Sequence, residues 1–425
     1  MRKKKVAVAI SKSISFLRRQ PRNWKITVTR SSLRTFVYKI IFPYQSIYAM
    51  GLGATATQLG IINTIGMGIA GLFGPFIGWI IDRIGVKRVY LIGIGLLVVS
   101  YLIYGVAQSW IILIVAMIAF WLGDTTSGHT CSTVCANSLS SRDRATGMSF
   151  CETLAAGLLG IVGPIVGASI VASSGGVNVK GIKPLFFISA LITLGTFFLI
   201  LTQLSNQNWK NSGERKSSFF KDIGQVFKQG KNLKRWIVIS SVGMLPMGMV
   251  FPFIQVFAHE IKGADQYILG AIVAGSALTP LAFGIPMGRL ADKIGRKKVI
   301  YLTSPLFWIS NLMLIWAPNS GFLIASGILQ GFFVVSMTVA GAMTVELVPP
   351  EHMGRWIGIL RFFRLLLAAC VAYLAGVIWD HLGPHYIFLI SIGLDAFVRI
   401  PLLAGIPETL DLRIGRREKG KKKAA

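Results

Sequence analysis

Gly288-Arg289-Leu290-Ala291-Asp292-Lys293-Ile294-Gly295-Arg296-Lys297-Lys298 has a near copy 210 positions earlier, Gly78-Trp79-Ile80-Ile81-Asp82-Arg83-Ile84-Gly85-Val86-Lys87-Arg88. That interval is about half the chain, and other landmarks keep it. Phe42-Pro43-Tyr44 answers to Phe251-Pro252-Phe253 at 209, Leu59-Gly60 to Leu269-Gly270 at 210, and Arg144 with Gly147 to Arg355 with Gly358 at 211. Landmarks in one order at a near-constant offset mark a duplicated bundle.

Composition says what kind of bundle it is. With 53% hydrophobic and 14% charged residues and a mean hydropathy of +0.64, the chain has more apolar surface than one water-soluble core of 425 residues would hide. A membrane-crossing helix needs ~20 mostly apolar residues. Twelve such segments fall near 34–52, 58–81, 88–107, 110–138, 145–172, 183–203, 235–257, 266–290, 298–317, 320–346, 354–380 and 384–404. The expected fold is therefore an all-α integral membrane protein of twelve transmembrane helices in two pseudo-symmetric six-helix bundles, 34–204 and 235–405. A basic tail (1–33), a polar basic linker (205–234) and a second basic tail (406–425) flank them.

Of the 44 Lys and Arg, 37 fall in the tails, the linker and the even-to-odd connections. Lys180, Lys183 and Lys262 fall on the opposite side, and Lys39, Arg361, Arg364 and Arg399 inside segments. Because Lys and Arg are retained on the cytoplasmic side, both termini are expected there, in the plasma membrane. The net charge of +28 then reflects topology, and no nucleic-acid partner is expected. The first 33 residues hold ten Lys or Arg and no acid. That composition suits a helix lying on anionic lipid, a disordered tail or a targeting segment.

Cys131, Cys135, Cys151 and Cys370 all lie in segments, so no disulfide framework is implied. Cys131 and Cys135 share a helix face at i,i+4, which reads as small-residue packing before it reads as a thiol or metal site. No zinc spacing, nucleophile elbow or phosphate-cradling loop is legible. Neither an enzyme nor a cofactor or metal is expected.

The Gly-x-x-x-Asp-Arg/Lys-x-Gly-Arg-Lys/Arg pattern between segments 2 and 3, returning between segments 8 and 9, resembles the signature loop of the major facilitator superfamily. The second copy matches fully; Val86 stands where the first would carry Arg. The resemblance covers residues from about 34 to 404 and implies alternating access between two rocking halves, often in a monomer. In physical terms, Gly78 and Gly288, extended by Gly74 and Gly284 into GxxxG faces, permit close helix approach. Asp82 and Asp292 sit where a carboxylate can face a helix N-terminus of the other half. Gly85 and Gly295 permit the turn, and Arg83, Lys87, Arg88, Lys293, Arg296 and Lys297 hold the loops in the cytosol. The resemblance implies that these loops gate the cytoplasmic side; topology anchoring alone is the other reading.

Segment 5 carries Gly160, Gly163, Pro164 and Gly167, similar to a Gly-Pro motif of antiporter branches, with Ala168 in place of a second glycine. Pro164 removes a helix hydrogen bond, and the glycines let a kinked helix approach a partner. Ile406-Pro407-Glu408-Thr409 is similar to a sugar-porter ending but is too short to weigh.

Ionisable residues inside spans are functional candidates by default. Asp124 falls near the middle of segment 4, which the resemblance makes cavity-lining, with His129 beyond it. Asp124 reads as a proton-coupling group, a substrate contact or a structural hydrogen-bond partner; His129 reads foremost as a packing residue. Glu152 in segment 5 is near-equivalent to Arg364 across the repeat and reads as a breakable gate or as helix glue. Arg361 and Arg364, at i,i+3, are expected on one face, with Lys39 entering from segment 1. Desolvation disfavours a charged carboxylate, so proton uptake at Asp124 or Glu152 is expected to couple to alternating access. Tyr44, Gln45, Asn63, Trp121 and Gln330 are candidate lining. Asp395 and Arg399 read as a structural pair, and Glu346 and Glu351 are given no role.

The expected function is a secondary transporter of a small organic solute working with a proton or another coupling ion, led by proton-coupled export. Proton-linked uptake or facilitated diffusion of an organic anion or sugar is the alternative, and a transporter-like receptor or scaffold is the alternative of another class.

Overall fold

Proline and glycine decide where the long apolar runs break. In the computed structural model, which describes residues 19–139, 157–205, 232–348 and 353–410, every regular element is helical. Segment 1 is a helix from Arg22 to Ile41, interrupted at Phe42-Pro43-Tyr44 and resumed over Gln45–Gly51. Pro43 has no amide proton to donate to a helical carbonyl. Segment 7 repeats the device as Leu233–Val242, Leu245–Met249 and Phe251–Val256, with Pro246 and Pro252 at its restarts.

The duplication is visible in three dimensions. Segments 2 and 8 are helices of 29 residues, Ala56–Ile84 and Gln266–Ile294. Each starts at a side-chain cap, Thr55 accepting from the Gln58 amide and Asp265 from the Ile268 amide. Each ends at a glycine with positive φ, Gly85 at 87° and Gly295 at 109°, a conformation that costs glycine nothing. Segments 3 and 9 follow at once as Val86–Val106 and Arg296–Ile315. Segments 4 and 10 are Trp110–Ser138 and Ser320–Glu346; segments 6, 11 and 12 are Val179–Gln203, Met353–His381 and Tyr386–Ala404.

Ten described helices are long and apolar enough to cross a membrane. Segments 1 and 5 account for the difference from the expected twelve. Segment 1 is broken at Pro43, and segment 5 is described only over Leu158–Ser173. Large apolar side chains face outward, Phe397 at 83% and Leu191 at 70% exposure, as lipid contact allows. The helix of segment 1 also starts at Arg22 rather than near residue 34. Trp24, Thr27 and Arg30 are buried, and Asn23 donates to Ser205 Oγ at 2.8 Å at the end of segment 6. Residues 22–33 thus pack in the bundle, because one face of this basic stretch is Trp, Ile and Thr.

Two seams join the halves. Segment 2 lies on segment 11, and segment 5 lies on segment 8, the symmetry-equivalent pair. Backbones meet at glycines: a Cβ on Gly60 would stand 2.5 Å from the Ala372 carbonyl oxygen, and one on Gly270 2.9 Å from that of Pro164. At the end away from the Gly85 and Gly295 turns, Tyr44 Oη donates to the Gln266 carbonyl at 3.0 Å and the Thr57 amide to Asp380 Oδ2 at 2.8 Å. Thr64 Oγ1 donates to the Ala369 carbonyl at 2.6 Å farther along.

Candidate functional site

Between the halves lies a cavity of about 230 Å³. Its walls come from segments 1, 2 and 4 of one half and 7, 8 and 10 of the other, so it spans the interface between them. The rings of Phe42, Phe120, Trp121, Phe251 and Phe333 supply most of its apolar wall. Gln45, Asn63, Gln255 and Gln330 supply amides, and Tyr38 and Ser276 hydroxyls. Lys39 is the charged group among its lining residues. Gln45, Asn63, Trp121 and Gln330 fall where the sequence put them. Tyr44 does not: it is fully buried in the seal beside Gln266, because the break at Pro43 turns it away from the Gln45 face. Gln255 was missed, although it stands 210 positions after Gln45 and the repeat offset points to it.

The acid sits one turn beyond this chamber. Asp124 Oδ1 accepts from Arg34 Nε at 2.9 Å and also from Arg34 Nη2. Arg34 was counted among the anchoring charges at the start of segment 1; because the helix begins at Arg22, it faces segment 4 instead. Arg30, Arg34 and Tyr38 follow one another at i,i+4 and so line one face. The Arg30 guanidinium lies 5.1 Å from the Tyr90 ring centroid. Arg361 of segment 11 lies within electrostatic reach of both Asp124 and Arg34. A partly buried acid of one half thus bonds Arg34 of its own half and lies within electrostatic reach of Arg361 of the other.

Arg361 and Arg364 part company. Arg364 is within electrostatic reach of Arg399 of segment 12, whereas Arg361 is within reach of Asp124; the two guanidinium groups leave neighbouring positions of one helix toward different partners. Arg399 Nη1 donates to Asp395 Oδ1 at 2.8 Å within a π-helical turn, and Trp308 Nε1 donates to Asp395 Oδ2 at 2.7 Å. Glu152, Arg144, Gly147 and Glu351 lie outside the described residues, as do the side chains of His129, Asp82 and Arg355 and the surroundings of Gly78.

Segment 5 uses its glycines as spacers toward two partners. A Cβ on Gly163 would stand 3.0 Å from Phe36 O and from Lys39 Cβ of segment 1. One on Gly167 would stand 2.7 Å from Ile40 O, and one on Gly160 3.3 Å from Ala277 Cβ of segment 8. Pro164 is buried in the same helix. These glycines press the Lys39 turn against the wall opposite the other half.

The loop after segment 8 is tied within its own half. Arg296, 5% exposed, bonds Asp292 Oδ1 at 2.7 Å and Glu346 Oε1 at 3.2 Å. The amides of Arg296 and Lys297 donate to Glu408 at 2.9 and 3.1 Å, so a carboxylate caps the N-terminus of segment 9. Lys297 Nζ donates to the Ala404 and Ile406 carbonyls, and Thr409 to Glu346 at 2.8 Å. Glu346, given no role from sequence, and the Ile406–Thr409 stretch are therefore parts of this network. The first loop turns at Gly85 in the same way, with Arg83 and Arg88 exposed.

A sequence profile described as Major Facilitator Superfamily matches residues 31–274 and 236–424. The chain belongs to the major facilitator superfamily. Multidrug resistance protein MdtG of Escherichia coli (strain K12 / DH10B) is 24% identical over 307 residues, covering 68% of this chain and 71% of that protein. The nucleoside transporter NupG superposes with a TM-score of 0.70 at 14% identity, covering 90% of this chain and 98% of NupG. A D-xylose-proton symporter gives 0.71 at 14% identity over 90% and 97% of the two chains. The human organic anion transporter MFSD10 gives 0.65 at 15% identity over 90% and 100%. At these identities the solved structures establish the shared fold. As a superfamily member the chain is an integral membrane protein of a transporter family.

Proposed function

We propose that this protein exports a small amphiphilic organic solute across the plasma membrane by alternating access, in exchange for protons, as a monomer with both termini in the cytoplasm. The observation that carries the reading is the aromatic chamber between the halves with the Arg34–Asp124 pair one turn beyond it and Arg361 of the other half alongside. Arg361 and Asp124 belong to different halves, so rocking of the halves changes the distance between them. When Asp124 takes a proton, its attraction to Arg361 of the other half is lost together with its ionic bond to Arg34, and the halves are free to part at that point. When the proton leaves on the other side, the pair re-forms. The resistance name carried by the Escherichia coli relative accords with export.

The test is proton flux in proteoliposomes of purified protein while organic anions and cationic drugs are offered in turn. Solute-dependent flux that disappears in Asp124→Asn supports the reading. Solute movement with no proton signal in the wild type sinks the coupling and leaves facilitated diffusion or another ion.

A further inference from the structure

The charge of the solute is written in the chamber. This inference rests on the preceding reading only in taking the chamber as the solute site. Among the described lining residues Lys39 alone carries a formal charge, and no carboxylate lines the wall. The ion pairs described elsewhere in the bundle engage arginines, and none engages Lys39. Its ammonium lies 5.6 Å from the Phe42 ring centroid, a cation–π contact that replaces little of the lost hydration. The stem is held in place, because Gly163 packs directly on Lys39 Cβ.

The surrounding field has the same sign. Asp124 is engaged by Arg34, and Arg361 and Arg30 add further positive charge at that end of the chamber. A cationic solute would enter against this field with no wall carboxylate to meet it. An anion would complete the pairing that Lys39 lacks.

The rest of the wall describes the rest of the ligand. Phe120, Trp121, Phe251 and Phe333, with Met67 and Met117, offer flat and polarisable surface. Gln255 and Gln330 are 2% and 4% exposed, and each keeps an amide atom with no protein partner, Oε1 of Gln255 and Nε2 of Gln330. Buried amides in that state are placed for neutral hydrogen bonds to a guest. At about 230 Å³ the chamber lies below the roughly 300–1,000 Å³ of drug-sized pockets, which favours a compact body of one or two rings.

We propose that the chamber selects a compact aromatic monoanion, its carboxylate or equivalent oxyanion held by Lys39 and its rings by the Phe120–Trp121 and Phe251–Phe333 walls. Lys39 is thus the residue that sets the charge specificity of the site.

Equilibrium binding to the purified full chain in nanodiscs tests this with three isosteric probes: 1-naphthoate, 1-naphthamide and 1-naphthylmethylammonium. The expected order places naphthoate about tenfold or more ahead of the amide, with the ammonium probe weakest. Lys39→Gln brings the naphthoate-to-amide affinity ratio toward one, whereas Lys39→Arg keeps the preference and shows that a substitution at this position leaves a working chamber. The proposal is overturned if the ammonium probe binds at least as well as naphthoate, if Lys39→Gln retains the preference, or if none of the three binds. Naphthoate binding without solute-driven flux leaves the charge assignment standing and removes the transport reading. Flux driven by cations and indifferent to Lys39 does the reverse.

Discussion

Removing Asp124 should damage the protein more than removing Arg34, and the difference can be worked from the local charges. The pair is partly buried, with side-chain exposures of 34% for Arg34 and 18% for Asp124. Its worth therefore lies between the ~0–1 kcal/mol of an exposed pair and the ~3–5 kcal/mol lost on breaking a fully buried one. A hydrogen bond to a charged group contributes ~1.5–3 kcal/mol, so Arg34→Gln should cost about 2 kcal/mol, with Arg361 and Arg30 still near the carboxylate. Asp124→Asn leaves those arginines facing one another without an acid and should cost about 3 kcal/mol. The double variant should cost less than the two singles together, by ~1–2 kcal/mol. Reversible unfolding of the four proteins in mixed micelles, followed by tryptophan fluorescence, gives the cycle. Additive losses, or a larger loss for Arg34→Gln than for Asp124→Asn, would refute the argument.

Tyr44→Phe removes the hydrogen bond to Gln266, ~0.5–1.5 kcal/mol, and should raise the population open at that end about two- to tenfold; thiol labelling of a cysteine placed near the seal would report it, and unchanged labelling would count against a gate there. Gly163→Val adds carbon 3.0 Å from Phe36 O and Lys39 Cβ, so it should cost ~1–3 kcal/mol and abolish solute binding, whereas Gly284→Ala, with open space around it, should leave both melting and binding unaltered. Gly295→Ala meets a positive φ and places Cβ 2.5 Å from Glu408 Oε2, whereas Gly85→Ala meets the positive φ alone. The first should lower the melting temperature more than the second, the backbone share of each being ~1–3 kcal/mol; equal losses would mean that the Glu408 clamp contributes nothing.

The sequence carried the architecture because a duplicated turn at Gly85 and Gly295 needs the same glycine for the same positive φ in both copies. It also located much of the chamber, since Gln45, Asn63, Trp121 and Gln330 are polar or aromatic interruptions in apolar helices. It failed where charge and helix boundary were confused. Arg34 looked like an anchor only because the apolar run seemed to start beside it; the burial of Trp24 and Thr27 extends the helix back by several turns. It failed again where spacing stood in for direction. Arg361 and Arg364 are close along segment 11, yet one reaches toward Asp124 and the other toward Arg399, and only packing against segments 2 and 12 separates them. Glu346 and Glu408 are distant in sequence and both bind Arg296 only because segment 10 and the end of segment 12 return to the same turn.

The carboxylate of Glu408 gives the two copies different mechanical characters. It nails the chain following segment 12 onto the start of segment 9, while Thr409 and Arg296 both grip Glu346 at the end of segment 10. Three helices that lie far apart along the polypeptide are thereby welded at one rim, so this half should turn as a stiff lever whose far arm carries Gln255 and Gln330. A duplicated scaffold thus need not move symmetrically: one copy can serve as the rigid arm while the other, whose corresponding helix end is tied back to Asn23 and Arg22 instead, carries the lysine and the acid that the arm closes upon.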